Sequence, residues 1–281
     1  MTDARSVVEA LTGTGTRSVT PLSATLWSAR LADGRSVVAK RGRPGQAPAE
    51  AAGLRWLAVP GGPPVPAVHG HDEHWLVAEH VAGGRMTAPA AERFGRELAA
   101  LHAAGAPCFG APPPDGPAEA WIGNAPMRNR PGEEWPSWYA EHRVLPYLRR
   151  AAAAGSVHRS DVAAVERVCD RITELAGPAE PPARLHGDLW AGNVHAGTDG
   201  RVWLLDPAAH GGHRETDLAM LALFGAPHLE RVLGAYDEAA ALAPGWRQRV
   251  VLHQLFPLLV HAVLFGGGYG AQAGAAARAL G

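Results

Sequence analysis

The chain has 281 residues, 47% hydrophobic and 19% charged, with a formal net charge of −1. This is the profile of an ordinary globular protein of one large or two moderate domains, without the basic excess of a nucleic-acid binder. Two cysteines, Cys108 and Cys169, are too few for a disulfide framework and lack metal-ligand spacing.

In chain order, the opening Met1-Thr2-Asp3-Ala4-Arg5 lacks the charged-then-apolar pattern of a secretory signal, so a cytoplasmic location is expected. Residues 4–11 read as a short helix with Asp3 as N-cap and Gly13 just past its end. Strands are predicted at 18–23, 25–31 and 36–40, with Asp33-Gly34 as the hairpin signal between the last two. The third ends Val37-Val38-Ala39-Lys40, the form of strand that brings an ammonium to nucleotide phosphates. Of the 26 basic residues only Lys40 is a lysine, which points to the properties of a compact ammonium on a flexible stem. A Gly/Pro-rich link leads to an Ala-rich helix over 47–58. Its Glu50, expected in the first turn, is the candidate partner for Lys40; a surface Glu favoured by the helix dipole is the plainer alternative. Strands at 67–70 and 75–81 complete a small lobe, residues 1–81. Glu79-His80-Val81, followed by Ala82-Gly83-Gly84, reads as a strand ending in a hinge that offers backbone groups to adenine, or as a simple linker.

Residues 82–281 read as a mainly helical second unit. A helix at 90–103 places Phe94, Leu98 and Leu101 on one face. Residues 108–130, rich in Pro, Gly and Asn, are expected to form a long loop whose Trp121-Ile122-Gly123-Asn124 borders a substrate pocket. Helices are predicted at 135–154 and 160–175. Then comes Arg184-Leu185-His186-Gly187-Asp188-Leu189-Trp190-Ala191-Gly192-Asn193 and, after a turn, Val202-Trp203-Leu204-Leu205-Asp206. A hairpin between them returns Asp206 to Asp188 and Asn193. A lone His-Gly-Asp is a surface turn in most chains. His-x-Asp with Asn five positions on and a further Asp after a strand is instead what phosphoryl transfer needs: a base, then a carboxamide and a carboxylate suited to Mg²⁺. Residues 207–213 are expected to be a mobile loop, and 218–224 a helix whose neighbour Asp217 caps it or braces the catalytic loop. Residues 246–265 form a predicted central helix, in which His253 and His261 read as core or pocket residues. Its apolar run, 255–265, is too short to span a bilayer, so no membrane partner is expected.

With Lys40, Glu50, Asp188, Asn193 and Asp206 in this order, the chain resembles the fructosamine kinase (ketosamine-3-kinase) family, among the aminoglycoside phosphotransferase-like kinases. The resemblance rests on the 185–193 and 206–209 segments, on Gly212-His213-Arg214-Glu215-Thr216-Asp217, and on Pro257-Leu258-Leu259-Val260-His261 with Phe265-Gly266-Gly267-Gly268-Tyr269. It implies an α+β, two-lobed protein-kinase-like fold: a small five-stranded antiparallel N-lobe with one helix, and a larger helical C-lobe. It also implies ATP and Mg²⁺ as cofactors and phosphorylation of the 3-hydroxyl of a ketosamine, a small molecule or glycated protein, whose product decomposes and frees the amine. Asp188 would then be the base, Asn193 and Asp206 the Mg²⁺ ligands, and Lys40 with Glu50 the phosphate clamp. Glu79, His80, Val81, Ser23 and Thr25 would serve the nucleotide, and Trp190 and Asp217 the sugar. Leu22-Ser23-Ala24-Thr25-Leu26 departs from the pattern by lacking glycine, and Cβ atoms limit close approach to phosphate. Two other readings stay open: a kinase of the same fold acting on an aminoglycoside or amino alcohol, and a nucleotide-binding pseudokinase. The 108–130 segment carries only Asp115 and Glu119, few acids for a polycationic substrate.

Overall fold

Residues 3–281 are described by a computed structural model. The chain opens with α1 (Ala4–Thr12), which stops at Gly13 in the left-handed conformation, φ 65°. Strands β1 (Thr16–Pro21), β2 (Leu26–Leu31) and β3 (Ser36–Arg41) follow, then α2 (Gln46–Leu57), β4 (Val68–His71) and β5 (Trp75–Glu79). They form a five-stranded antiparallel sheet in the order β1-β2-β3-β5-β4. Side chains alternate between the two faces of a strand. In β3, Val37 and Ala39 therefore pack with Val7 and Val8 of α1, whereas Val38 joins Ala51 and Leu54 of α2. Lys40 shares the face of Val38 and is aimed at α2. The small lobe thus holds two helices, one on each face of the sheet, at the places where 4–11 and 47–58 were read as helical.

The link after β5 runs to α3 (Ala88–Ala103), capped by the Thr87 hydroxyl, which accepts from the Ala90 N–H at 3.3 Å. Within the expected long loop the chain instead forms a hairpin, β6 (Glu119–Ile122) and β7 (Ala125–Arg128). Ala120, Ile122, Ala125 and Met127 are buried, while Glu119 and Arg128 pair on the open face at 2.9 Å. Strands of four residues, one containing Pro126, are too short for the alternation to stand out in sequence. Next come α4 (Trp135–Tyr139), a π-helical turn at Ala140–Val144, and α5 (Leu145–Ala153), covering the single helix predicted there. Then follow α6 (Arg159–Asp170), α7 (Ile172–Leu175), β8 (Ala183–Leu185), and the hairpin β9 (Val194–Ala196) with β10 (Val202–Leu204). The expected mobile loop at 207–213 is instead buried from Ala208 to His213 and contains β11 (His210–Gly212), paired with β8. Its glycines serve close packing: a Cβ at Gly211 would collide with the Cys108 carbonyl.

The chain ends in α8 (Arg214–Leu223), α9 (Leu229–Ala239), α10 (Trp246–Phe265) and α11 (Tyr269–Ala279). By length and composition α10 is apolar enough to cross a membrane, but Leu252, Leu255, Leu258 and Leu259 lie in the main core, which also takes in side chains from α5, α6 and α11. A second core joins Trp56 and Leu57 of α2 to Phe94 and Leu98 of α3, Leu204 of β10, and Val232 and Tyr236 of α9. The C-terminal end of α2 is therefore packed into the large lobe.

Candidate active site

β8 delivers the chain into a tight turn at His186-Gly187-Asp188. Gly187 has φ 81°, and a Cβ there would collide with the Ala208 carbonyl, so both conformation and space require glycine. The turn is held from beneath by Asp217, whose carboxylate accepts from the His186 N–H at 2.7 Å and the Gly187 N–H at 2.9 Å. The His186 Nε2–H donates to the Leu205 carbonyl at 2.8 Å, and its Nδ1 accepts from the Asp188 N–H at 3.2 Å. The ring is therefore neutral, and burial holds its pKa below the usual value.

Asp217 was expected at the sugar side. The structure corrects this: its side chain is 1% exposed, committed to the loop's backbone and to His102, and not part of the cleft wall. It does not cap α8 either; His213 does, its Nδ1 accepting from the Glu215 N–H. Burial would raise the Asp217 pKa, but His102, His186 and the Gly187 N–H together hold it below the usual value.

Asn193 closes a 3₁₀ turn, Ala191–Asn193. Its Nδ2 donates to the Asp188 carbonyl at 2.8 Å and to Asp188 Oδ2 at 3.2 Å, fixing the carboxylate. Among the described residues no donor reaches Asn193 Oδ1. The β9–β10 hairpin returns the chain to Asp206, which sits at φ 50°, a strained conformation for a residue other than glycine. Asp206 Oδ1 accepts from Lys40 Nζ at 3.0 Å, and Glu50 Oε2 accepts from the same ammonium at 2.8 Å. Glu50 falls just past the first turn of α2, because the helix starts at Gln46, one residue earlier than expected.

Burial pushes the Asp188 carboxyl up to about 7, with the charges of Asp206 and Asp217 adding to the rise against the Asn193 hydrogen bond. Glu50 is also pushed up to about 7 by burial, with Lys40 opposing. Burial acts to lower the Lys40 pKa, but the two carboxylates outweigh it and raise it. Asp206 is held below the usual carboxylate range, Lys40 outweighing the effect of burial.

These groups line a cavity of about 670 Å³ between the lobes, together with Thr25, Trp121, Trp190, His261 and Phe265. Its only carboxylates are Glu50, Asp188 and Asp206. Among the described residues no donor is bonded to Asn193 Oδ1 or Asp206 Oδ2, and two such oxygens fit a hard cation such as Mg²⁺. Another grouping, His213, Glu215 and His253, has its ligand atoms within 4.8 Å of one another. There the Glu215 carboxylate is taken by Arg249 at 2.6 and 2.9 Å, so a guanidinium holds the place a cation would need.

The remaining predicted residues divide. Thr25 lines the cavity. Ser23 does not: its N–H bonds to the Leu26 carbonyl and its hydroxyl accepts from the Thr25 N–H, so it shapes the turn. Glu79, His80 and Val81 lie outside the cavity wall, with the Glu79 and His80 N–H groups donating to Ala67 and Ser36. The Val81 N–H has no acceptor among the described residues. Trp190 is 39% exposed and lines the cavity with its indole edge-on to Phe224, ring centroids 6.3 Å apart. Sequence reasoning missed Gln46, whose Nε2 donates to the Gly123 carbonyl at 3.0 Å, and Arg43, whose guanidinium lies 5.8 Å from the Trp121 ring. Both contacts tie the start of α2 to the β6–β7 hairpin, and with the hairpin unseen no local signal pointed to them.

Comparison with known proteins places the chain in a family. Residues 43–280 match the fructosamine kinase family, a span that begins just after Lys40. A solved structure from Thermobifida fusca assigned as a fructosamine-3-kinase superposes with a TM-score of 0.92 at 48% identity, covering 99% of this chain and 98% of that one. A probable ketoamine kinase of Synechocystis sp. is 37% identical over 214 residues, 75% of this chain and 69% of the relative. An aminoglycoside phosphotransferase solved with ADP and hygromycin B shares the fold alone, with a TM-score of 0.68 at 14% identity over 99% of this chain and 98% of that one. With the 186–193 turn, the Lys40–Glu50 pair and Asp206 gathered at one cavity, and with most of its length matched, this chain belongs to the fructosamine kinase family.

Proposed function

We propose that the protein transfers the γ-phosphoryl group of ATP to the 3-hydroxyl of a ketosamine, with the lobe boundary at residues 81–82. The observation that carries this reading is the convergence of Asp188, Asn193, Asp206 and the Lys40–Glu50 pair on one cavity whose remaining wall is apolar and aromatic, with Arg41 and Arg43 as its other charged residues. Asp188, oriented by Asn193, takes the proton from the sugar hydroxyl as its oxygen bonds to phosphorus and the bond to the departing ADP breaks. Lys40, held by Glu50, exchanges its contact with Asp206 for the phosphate oxygens. Mg²⁺ held by Asn193 and Asp206 would neutralise charge on those phosphates. Thr25 covers the phosphates from the N-lobe, and the free Val81 N–H serves adenine. Trp190 offers an indole face to the apolar edge of the sugar. Phosphorylation next to the ketone makes the adduct labile, and its decomposition frees the amine. Use of ATP and the two free cysteines fit a cytoplasmic setting.

An aminoglycoside carries several ammonium groups, and this cavity offers no carboxylate beyond the three already engaged. A pseudokinase would not need a complete set of base and metal ligands. The test is ATP consumption against a panel of ribulosamines, erythrulosamines, fructosamines, aminoglycosides and choline. Turnover is expected with one or more ketosamines, and Asp188→Asn should lower it by about 10²–10⁴-fold. Turnover confined to aminoglycosides or choline, or an undiminished Asp188→Asn variant, overturns the reading.

A further inference from the structure

His261 lies near the C-terminal end of α10, where it, Leu264 and Phe265 face the cavity. Its Nδ1 is 2.8 Å from the Pro257 carbonyl. A carbonyl only accepts, so Nδ1 carries the proton and the neutral ring presents its lone pair at Nε2. Burial keeps the pKa of the ring below its usual value, with the Pro257 bond opposing, so this form persists at neutral pH. Nε2 has no protein partner among the described residues. The ring is packed among Phe224, Tyr269 and Phe265, with centroids at 4.8, 5.1 and 5.4 Å. Phe224 in turn touches Trp190, two residues from Asp188, so this aromatic cup is joined to the base loop. Phe265 is 67% exposed and lines the cavity beside His261.

A ketosamine differs from a plain ketose by a secondary amine on C1, protonated at neutral pH. Taking that ammonium out of water is costly unless it meets an acceptor, and aromatic faces add to its stabilisation. The cavity's three carboxylates are engaged by the base role, the metal site and Lys40. We infer that His261 Nε2, with its ring held in place by Phe224 and Tyr269, accepts a hydrogen bond from the substrate's ammonium, and that the Phe265 ring covers that ammonium from the cavity wall. The inference rests on the ketosamine reading above and assigns the residue that separates an aminated sugar from a neutral one.

The test compares an N-alkyl ribulosamine with its 1-O-alkyl ribulose isostere, in which an ether oxygen replaces the amine. The wild-type enzyme is expected to favour the amine in kcat/KM by roughly tenfold or more, the size of a hydrogen bond to a charged group. His261→Phe keeps an aromatic ring but removes the acceptor, so the preference should disappear through a higher KM for the amine, with the KM for ATP unmoved. His261→Gln, which restores an acceptor oxygen, should recover part of it. If His261→Phe does not fold, His261→Leu is read in the same way. An unchanged amine-to-ether ratio in the variant without the acceptor overturns the inference while leaving the ketosamine reading standing. A wild-type enzyme that turns over the amine and the ether equally also overturns the inference alone; one that phosphorylates neither overturns both.

Discussion

Lys40 holds two carboxylates at once, Glu50 at 2.8 Å and Asp206 at 3.0 Å, and this double contact sets the demands on its side chain. A guanidinium keeps the charge but is longer and planar, so it cannot sit at the point where both oxygens converge. Lys40→Arg should therefore fold, with turnover reduced roughly 10²-fold by displacement of about 1 Å in the site. A coupled ADP assay beside a circular-dichroism melt checks this; turnover within a few-fold of wild type would remove Lys40 from the clamp. The site residues legible in sequence are those bound to one another by short spacing. Asp188 and Asn193 are five positions apart, and a hairpin of recognisable turn chemistry returns Asp206. Asp217 was legible with its role left open, because an acid in the first turn of a helix reads equally as a cap or as a brace. Its bonds to the His186 and Gly187 N–H groups decide for the brace. Glu50 was legible both as a partner for Lys40 and in its place on α2, whose start was expected within one residue of where it lies.

At the scale of elements, α8 is the part on which the site stands. Its first turns bury Glu215, Thr216 and Asp217, the last of which holds the catalytic loop. Glu215 in turn is held by Arg249 and His253 of α10. Burial alone would raise its pKa, but those two partners bring it down to about 2. The folded value thus lies below the unfolded one, so this stabilisation is complete above about pH 4.5 and is lost as pH falls toward 2. It amounts to about 3 kcal/mol. Glu215→Gln should lower stability at pH 7 by about 3 kcal/mol, because Arg249 is left buried without its charge partner. It should also flatten the stability loss between pH 4.5 and 2. Urea midpoints at several pH values test both, and an equally steep acid limb in the variant would show that other carboxylates set it. Several elements escaped sequence reading, α9 and α11 among them, and the missed strands did so for opposite physical reasons. The β6–β7 strands are too short and proline-broken to show their alternation. β11 is glycine-rich because neighbouring backbone comes close, and the same composition reads as flexibility when the neighbours are unknown.

At the scale of the molecule, the five-strand sheet and the helical unit were legible because their turns carry strong signals, Asp33-Gly34 and Gly13 among them. Their coupling was not, since it depends on contacts far apart in sequence. Trp56 and Leu57 of α2 lie in a core shared with α3, β10 and α9. Arg184 stacks on Trp56 at 4.7 Å and donates to its carbonyl at 2.7 Å. The hinge is pinned to the β9–β10 hairpin, the Gly84 N–H donating to Ala196 at 2.7 Å and the Thr198 N–H to Ala82 at 3.0 Å. The lobes should therefore unfold together, in one calorimetric transition with matching van't Hoff and calorimetric enthalpies. Saturating nucleotide at 100 times its Kd should stabilise that single transition by about 2.7 kcal/mol. Two resolved transitions, only one responding to nucleotide, would show that the shared core does not couple them.

Reducing sugars condense with amines that have a free lone pair, and this chain has one lysine side chain, Lys40. Its ammonium is locked between two carboxylates that keep it protonated, so it is a poor nucleophile toward a sugar carbonyl. The 25 remaining basic residues are arginines, which stay protonated at any pH the protein meets. The side chains of a protein that handles sugar adducts of amines are thus themselves poor targets for forming them. After prolonged incubation with ribose, mass spectrometry should find Lys40 unmodified in the native protein and modified once urea has separated it from Glu50 and Asp206.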